Sequence, residues 1–308
     1  MKTAVVFSVM FIFSAIGCTK RQGSDIRHGT LQVIATESHL PLVQQLAYDY
    51  QSVYPDVVMS VSGSTTRGSI VDLVNGNVHC IIIDRPLNDE ERRAARDAGR
   101  NPAESEVAHD ALVLLAHPRN SLAALSKADL GSILSGEIKL WSKVPGSKLN
   151  GAIEICLTGR NSGLYEMVTH TFFSLEKDVP LAAVAASQDS VMQYIASNPE
   201  ALGIVSFAVW KDTTQSTSQR WKKNVHVIDL LAKDAEGKLV AMKPTQRIIY
   251  DQLYPLTYSL YVYTWEKIPG TAHGFSAFVS QDVGQRVFLN AGLVPKTMPY
   301  RTIQLTQQ

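Results

Sequence analysis

The sequence predicts an α/β protein of two lobes, with a hinge and a central cleft. Two regions, residues 31–83 and 153–207, each alternate short apolar runs with runs of helical spacing. Between them, residues 111–116 are continuously apolar, which is typical of a buried strand, here one that crosses between lobes. Because lobes joined in this way close around a ligand, the arrangement indicates a hinged ligand-binding protein.

The first region follows the order strand, helix, strand, helix, strand over short connections. This order predicts parallel strands with helices on both faces. Ligands of such sheets bind beyond the carboxyl ends of the strands, where the sequence places loops at 36–39, 62–67 and 84–86. The predicted strands lie at 31–35, 57–61 and 81–83, and the helices at 42–50 and 70–74.

The rest of the chain gives a second set of elements. Opposite charges in residues 88–100 recur at i,i+3 and i,i+4 spacing, which predicts a helix with a solvated face. Residues 210–252 are more polar and stay unassigned. The remaining predicted elements are strands at 153–157, 203–207 and 260–264, a loop and helix at 159–173, and helices at 130–136, 190–197 and 277–289.

Composition excludes several classes of protein. The chain has 308 residues, 45% hydrophobic and 19% charged, which excludes a disordered or collagenous chain. A formal charge of +1 argues against a strongly basic nucleic-acid binder. Cys80 and Cys156 each lie in an apolar run and are interpreted as buried free thiols. Neither Cys-x-x-Cys nor His-Glu-x-x-His occurs, so we expect no metal site and no cofactor.

The first residues have the pattern of an export signal. Lys2 precedes an apolar run at 4–16, which has the length of a signal-peptide core and is shorter than a membrane-spanning helix. Ala15-Ile16-Gly17-Cys18 resembles the lipobox of bacterial lipoproteins. The resemblance implies a signal peptide at 1–17, lipidation of Cys18 and a linker at 18–28. An ordinary secretory peptide and a short buried helix are the alternatives.

A loop rich in hydroxyl groups follows the second predicted strand. Ser62-Gly63-Ser64-Thr65-Thr66 opens a helix, whose first N–H groups lack partners and carry the positive end of the dipole. With the hydroxyl donors they make an anion site, to which ordinary capping by Ser or Thr is the alternative. Gly63 and Gly68 have the spacing of a P-loop, but Ser69 stands where that motif has lysine, which disfavours nucleotide hydrolysis.

The second region repeats this pattern in Gly159-Arg160-Asn161-Ser162-Gly163. A strand ends, two glycines bracket an arginine and a serine, and a helix begins. The arginine offers a fixed fork of donors to an oxyanion. Ser162 falls one place late for the esterase motif Gly-x-Ser-x-Gly. A surface turn with a solvated arginine is the alternative.

Asp84 follows the third strand and precedes Arg85-Pro86. A carboxylate beside an anion site is unfavourable unless the ligand carries a proton that the carboxylate accepts. Hydrogen phosphate carries such a proton and sulfate does not, so Asp84 would favour phosphate over sulfate. An Asp that caps a helix or forms a salt bridge is the alternative.

Several phrases together match one family. They are Ser62-Gly63-Ser64-Thr65-Thr66, Asp84-Arg85-Pro86-Leu87, Ile133-Leu134-Ser135-Gly136-Glu137-Ile138-Lys139-Leu140-Trp141, Gly159-Arg160, and Ser197-Asn198-Pro199-Glu200-Ala201-Leu202-Gly203-Ile204-Val205-Ser206, in this order. Over roughly residues 29–300, the chain resembles the phosphate-binding proteins of ABC phosphate importers, the PstS-like branch of periplasmic binding proteins.

The resemblance implies a two-lobed periplasmic-binding-protein fold that holds phosphate in its cleft and delivers it to an ABC permease. It implies a lobe one at 29–112 and 256–308 and a lobe two at 113–255. The exported protein would be a monomer, anchored to a membrane through lipid and without enzymatic activity. The implied phosphate-binding residues are Thr36, Ser38, Ser62, Gly63, Ser64, Thr65, Asp84, Arg160, Ser162 and Gly163.

The sequence departs from the family pattern in two places. Glu37 stands in a loop where the family has small hydroxyl residues, and Leu164 replaces a threonine. These departures motivate an alternative, a sensor or assembly protein of the same fold or a receptor for another oxyanion. A third hypothesis, an exported phosphoester hydrolase, finds no nucleophile, base and orienting group at local spacing.

Overall fold

The computed structural model describes residues 26–173, 178–211 and 221–299. The predicted signal peptide, Cys18 and the last residues of the predicted lobe one lie outside these ranges. The strands are β1 (Gly29–Thr36), β2 (Val57–Ser64), β3 (Cys80–Ile83), β4 (Ala103–Ala116), β5 (Ala124–Ser126), β6 (Glu154–Thr158), β7 (Ala183–Ala185), β8 (Ala201–Ser206), β9 (His226–Lys233), β10 (Leu239–Met242), β11 (Thr257–Thr264) and β12 (Val294–Pro295). The helices are α1 (Leu40–Val53), α2 (Thr66–Asn75), α3 (Asp89–Asp97), α4 (Lys127–Leu134), α5 (Gly163–Phe173), α6 (Gln188–Ser197), α7 (Phe207–Lys211), α8 (Gln246–Tyr250), α9 (Thr271–Ser280) and α10 (Asp282–Asn290).

Lobe one is built on a sheet with the strand order β2-β1-β3-β11-β4. Strand β1 pairs in parallel with β2 and β3, while β11 runs antiparallel to β3 and β4. Helices cover both faces: Leu46 of α1 and Phe275 of α9 belong to one buried cluster, and Leu73 of α2 belongs to another. The predicted α/β architecture with helices on both faces is therefore present.

Lobe two is built on a second sheet, in which β6 pairs in parallel with β7 and β8. A small sheet of β5, β9 and β10 joins it through β9, which also pairs with β4. The largest buried side chain is Trp141, whose indole N–H donates to the carbonyl of Glu200 at 2.9 Å. Trp141 therefore anchors the loop after α4 to the start of β8.

Strand β4 connects the lobes. Its residues up to Ala111 pair with β11, and from Leu112 onward they pair with β8. The returning chain crosses beside it, where the Leu112 N–H donates to the carbonyl of Leu256 at 3.0 Å. The partner change lies next to the lobe boundaries predicted at 112/113 and 255/256.

The structure corrects the predicted end of the chain. A single helix at 277–289 was expected, but α9 ends at Ser280 and α10 begins at Asp282. Gln281 between them has an extended backbone, with φ −92° and ψ 173°. The helical periodicity continues across this break, which is why apolar spacing does not reveal it.

The structure also corrects the end of the second predicted strand. Strand β2 continues through Ser64 and α2 begins at Thr66, so residues 62–64 of the expected loop are strand and residues 66–67 are helix. Parallel pairing with β1, which runs from Gly29↔Val57 to Thr36↔Ser64, extends β2 over these residues. No helix in the described residues is long and apolar enough to cross a membrane.

Two glycines test the packing of lobe two. A Cβ at Gly203 of β8 would lie 2.7 Å from Val191 Cγ1, whereas one at Gly131 of α4 would have ordinary contacts of 3.5 Å or more with Phe172. We expect Gly203→Ala to lower the free energy of unfolding by about 1–3 kcal/mol through overpacking. Gly131→Ala is the matched control and should be neutral or stabilising by up to about 1 kcal/mol. Urea unfolding measures both, and equal effects would contradict the packing described.

Candidate functional site at the seam between the lobes

The two lobes face each other along a boundary that we call the seam. It is formed by residues 36–39, 62–67 and 84–85 of lobe one and by residues 159–166 of lobe two. In lobe one these residues lie at or directly after the carboxyl ends of β1, β2 and β3, and in lobe two they follow the end of β6. The predicted anion-binding loops therefore come together here.

The first turn of α5 supplies a backbone hydrogen-bond donor from lobe two. The Gly163 N–H donates to Oε2 of Glu37 in lobe one at 2.9 Å. A Cβ on Gly163 would lie 3.2 Å from the same oxygen and 3.4 Å from Cβ of Thr36. Glycine is thus what allows lobe one to approach the backbone of α5 this closely.

Ser162 shapes the start of α5. Its hydroxyl oxygen accepts the N–H of Tyr165 at 3.2 Å and lies 2.6 Å from the hydroxyl oxygen of Thr158. Ser162 therefore caps the start of α5, and it directly precedes the buried donor Gly163.

The donor from lobe one is the first turn of α2. Thr65 caps this helix by accepting the N–H of Gly68 at 2.9 Å. The N–H of Arg67, in the same turn, lies too early in α2 for a partner within the helix. It donates to Oε2 of Glu166 in lobe two at 3.1 Å. The other oxygen of Glu166 accepts a hydrogen bond from Arg85 Nη2 at 3.1 Å. Glu166 therefore joins α5 to lobe one through two donors.

Asp84 is buried directly behind this turn, with 3% of its surface exposed. Its Oδ1 accepts the hydroxyl of Thr66 at 2.5 Å. Burial raises the pKa of Asp84 to about 6, although the Thr66 hydrogen bond and nearby His39 act in the opposite direction. The neighbouring carboxylate of Glu166 adds to the increase in pKa. A carboxyl group that readily holds a proton thus lies at the seam.

The loop after β1 is fixed by a buried chain of hydrogen bonds. Thr36 Oγ1 lies 3.0 Å from His39 Nδ1, and His39 Nε2 lies 2.8 Å from Asp110 Oδ2. Asp110 also accepts the hydroxyl of Tyr258 at 2.8 Å and the N–H of Ala208 at 3.1 Å. Because the Thr36, His39 and Asp110 side chains are fully buried, this chain holds the loop between the lobes in one position.

The other predicted binding residues differ in their exposure and in their partners. Ser62 and Gly63 are exposed and Ser64 is half-buried at the end of β2. Ser38 accepts a hydrogen bond from Gln188 Nε2 of lobe two at 2.7 Å. The ion pair of Arg160 is with Asp178 of its own lobe, at 3.1 Å, and both side chains are 62% exposed. Leu164, the departure in lobe two, is buried in that lobe's core.

A groove of about 720 Å³ opens beside the seam. Glu37, Ser38 and Ser162 line it together with apolar side chains such as Leu42 and Val209. The donors of the seam therefore lie at the edge of a space that a small solute can enter.

Two residues of the seam, His39 and Glu166, and Asp110 beside it were not predicted from the sequence. His39 and Asp110 are 71 positions apart, so no local spacing connects them. Glu166 stands in the first turn of α5, where an acidic residue is ordinary because it opposes the helix dipole. Only the position of α5 against lobe one reveals its second contact.

The described residues contain no cluster of His, Cys, Asp and Glu able to hold a metal ion. Cys80 and Cys156 are free and buried, as predicted. Burial raises the pKa of both thiols, that of Cys156 to about 11.

Comparison with known families identifies the superfamily that has this architecture. A PBP superfamily domain matches residues 21–282. The chain belongs to the PBP superfamily. This match covers both lobes and confirms the predicted fold class and the family resemblance.

The similar proteins include transport receptors. The phosphate-binding protein PstS of Staphylococcus saprophyticus is 26% identical over 249 residues, which cover 80% of this chain and 74% of the relative. The PstS of Staphylococcus epidermidis is 22% identical over 267 residues, with 85% and 78% covered.

Solved structures share the fold. An ABC-type phosphate transport receptor from Vibrio cholerae superposes with a TM-score of 0.71 at 18% identity, covering 87% of this chain and all of its own. A phosphate ABC transporter substrate-binding protein from Clostridium perfringens, solved with bound phosphate, has a TM-score of 0.68 at 17% identity and the same coverage.

The raised pKa of Asp84 makes a prediction about stability. Its pKa in the folded protein, about 6, exceeds the ordinary 3.8, so unfolding becomes easier as pH rises through this interval and the unfolded carboxyl ionises first. Asp84→Asn removes this penalty. We expect the variant's stability relative to wild type to rise by about 3 kcal/mol between about pH 3.5 and 7.5. Urea unfolding in phosphate-free buffer measures it, and a difference that stays constant with pH contradicts the burial of an ionisable Asp84.

Proposed function

We propose that this protein binds phosphate at the seam and delivers it to an ABC permease as an extracytoplasmic receptor without enzymatic activity. The observation that carries the proposal is the meeting of two helix N-termini, α2 and α5, at the seam, with Asp84 buried beside them. Helix N-termini bind oxyanions through unpaired N–H groups and the positive end of the helix dipole. The named relatives that bind phosphate support the same ligand.

Asp84 supplies a reason for phosphate in particular. Near neutral pH, phosphate carries a hydroxyl that can donate a hydrogen bond to a carboxylate, and sulfate carries none. A carboxylate facing sulfate is penalised by repulsion and by lost solvation. A receptor with Asp84 at the seam should therefore discriminate between two anions of similar size and shape.

The remaining implied residues have distinct roles in this proposal. Gly163 donates its N–H from lobe two, and Arg160 turns from Asp178 toward the ligand. Ser62, Gly63, Ser64 and Thr65 present donors from the end of β2 and the start of α2. Thr36, Ser38 and Ser162 complete the set from the loops that meet at the seam. Since hydroxyl groups add donors without adding charge, this set suits a small, partly protonated anion.

The chain's place in the cell follows from its first residues. We infer that the signal peptide is cleaved before Cys18 and that the lipidated cysteine holds a monomer at a membrane surface outside the cytoplasm. The lipobox resemblance of Ala15-Ile16-Gly17-Cys18 supports this anchor.

Calorimetric titration of the full-length chain in detergent tests the ligand. We expect binding of phosphate and binding of sulfate that is at least about tenfold weaker, because sulfate lacks the hydroxyl that Asp84 accepts. Equal affinity for the two anions, or no heat with phosphate, contradicts the proposal.

Asp84→Asn tests the origin of the selectivity. An asparagine amide can donate to a sulfate oxygen, so the preference for phosphate should fall by about tenfold or more, the effect of one buried hydrogen bond to a charged group. If the preference survives, Asp84 does not accept the ligand's proton.

Cys18→Ser tests the anchor. Serine cannot carry the thioether-linked lipid, so we expect the variant to move from the membrane pellet to the soluble extracytoplasmic fraction. Cys156→Ser, which changes a buried thiol, is the control and should stay with the membrane. Retention at the membrane of a Cys18→Ser chain that has lost residues 1–17 would exclude a lipid anchor at this residue.

A further inference from the structure

Each helix N-terminus at the seam is already in contact with a carboxylate from the opposite lobe. Glu37 of lobe one accepts the Gly163 N–H of α5 at 2.9 Å. Glu166 of lobe two accepts the Arg67 N–H of α2 at 3.1 Å. The donors assigned to an oxyanion are thus held by carboxylate oxygens, which have the charge and the acceptor geometry of an oxyanion.

The two carboxylates differ in how firmly they are held. Glu166 is 13% exposed and makes a second contact, its Oε1 to Arg85 Nη2 at 3.1 Å. That arginine is itself buried and bonded to Glu91 at 2.8 Å. Glu37 is exposed, and its carboxylate accepts the hydrogen bond from the Gly163 N–H. Glu166 is therefore a fixed hydrogen-bonded link between the lobes, whereas the Glu37 side chain can move into solvent at little cost in free energy.

The charges at the seam make the Glu37 carboxylate unfavourable for a bound anion. Glu37, Asp84 and Glu166 are acidic, while the buried cation nearby, Arg85, is shared between Glu91 and Glu166. The Cγ of Glu37 also lies 3.7 Å from where a Cβ on Gly63 would be, so its side chain packs over the other predicted anion loop. An incoming oxyanion would meet the Glu37 carboxylate on the donor that it needs, and the two negative groups would repel each other.

We propose that Glu37 is an internal competitor of the ligand. Its carboxylate holds the Gly163 N–H and closes the seam in the ligand-free protein, and it leaves this donor when an oxyanion binds. This inference rests on the proposed phosphate-binding function. Glu37 thereby sets the affinity of the receptor: it weakens binding of every oxyanion, and it supplies a closed state that requires no ligand.

Glu37→Gln tests the competition. The amide oxygen of glutamine is a weaker acceptor than a carboxylate and carries no charge to repel the ligand. We expect phosphate to bind about tenfold or more tightly to the variant than to wild type, as expected for freeing one charge-assisted donor. Glu90→Gln makes the same change of net charge on the exposed face of α3, and its affinity should equal that of wild type.

A distance measurement tests closure without any ligand. Spin labels at Tyr48→Cys of α1 and Val184→Cys of β7, both exposed positions, report the separation of the lobes. The buried thiols of Cys80 and Cys156 should not react with the label. In phosphate-free buffer we expect a single short distance in the otherwise wild-type chain and a longer or broader distribution when Glu37→Gln is added.

The two readouts separate this inference from the proposed function. If no phosphate binds to either chain but Glu37→Gln opens the lobes, Glu37 is a closing contact, and both phosphate binding and competition with phosphate are wrong. If phosphate binds with equal affinity to both chains and their lobe distances agree, the function stands and the role of Glu37 is wrong. A weaker affinity in Glu37→Gln also overturns the inference, because it would make Glu37 a ligand-supporting residue.

Discussion

N–H groups that have no partner within their own helices, at the starts of α2 and α5, are the constraint on which the rest of the seam depends. A helix cannot satisfy its own first donors, and both of these helices present theirs where the lobes meet. Acceptors must therefore lie there, and the helix dipole favours acceptors that carry negative charge. In the structure Glu166 and Glu37 supply that charge, and in the proposed function a phosphate oxygen takes over at Gly163. The same donors thus serve both closure and binding.

The position of these donors is fixed by a buried polar centre at the junction. Asp110 lies on β4 immediately before the strand changes lobes, and it accepts hydrogen bonds from His39, Tyr258 and the backbone of Ala208. Lobe one and α7 of lobe two are thereby bonded to one carboxylate. Because the polar groups involved are buried and paired, displacing the loop after β1 would leave several of them without partners. The loop that carries Glu37 is therefore held rigidly, and the exposed Glu37 side chain can turn without displacing its backbone.

Most of the fold could be predicted because apolar periodicity is a local property. The strands at 31–35 and 81–83 and the helix at 42–50 are present as expected. The strands are short apolar runs buried on both faces of the sheet, and the helix buries one apolar face. The division of 277–289 into two helices could not be predicted, because the extended backbone of Gln281 interrupts the helix while the spacing of apolar residues continues across it. At the seam, glycine and hydroxyl patterns indicated loops that the structure brings together, and their role in binding stays a prediction. Their partners could not be predicted, because Glu37 meets Gly163 across 126 positions and Arg67 meets Glu166 across 99.

The account is tested most directly by a crystal structure of the chain grown with phosphate. We predict a phosphate ion at the seam, with one oxygen accepting the Gly163 N–H, its hydroxyl directed at Asp84, and the Glu37 side chain turned away into solvent. A structure in which phosphate is bound elsewhere, or in which Glu37 still holds Gly163 beside the bound ion, would contradict it.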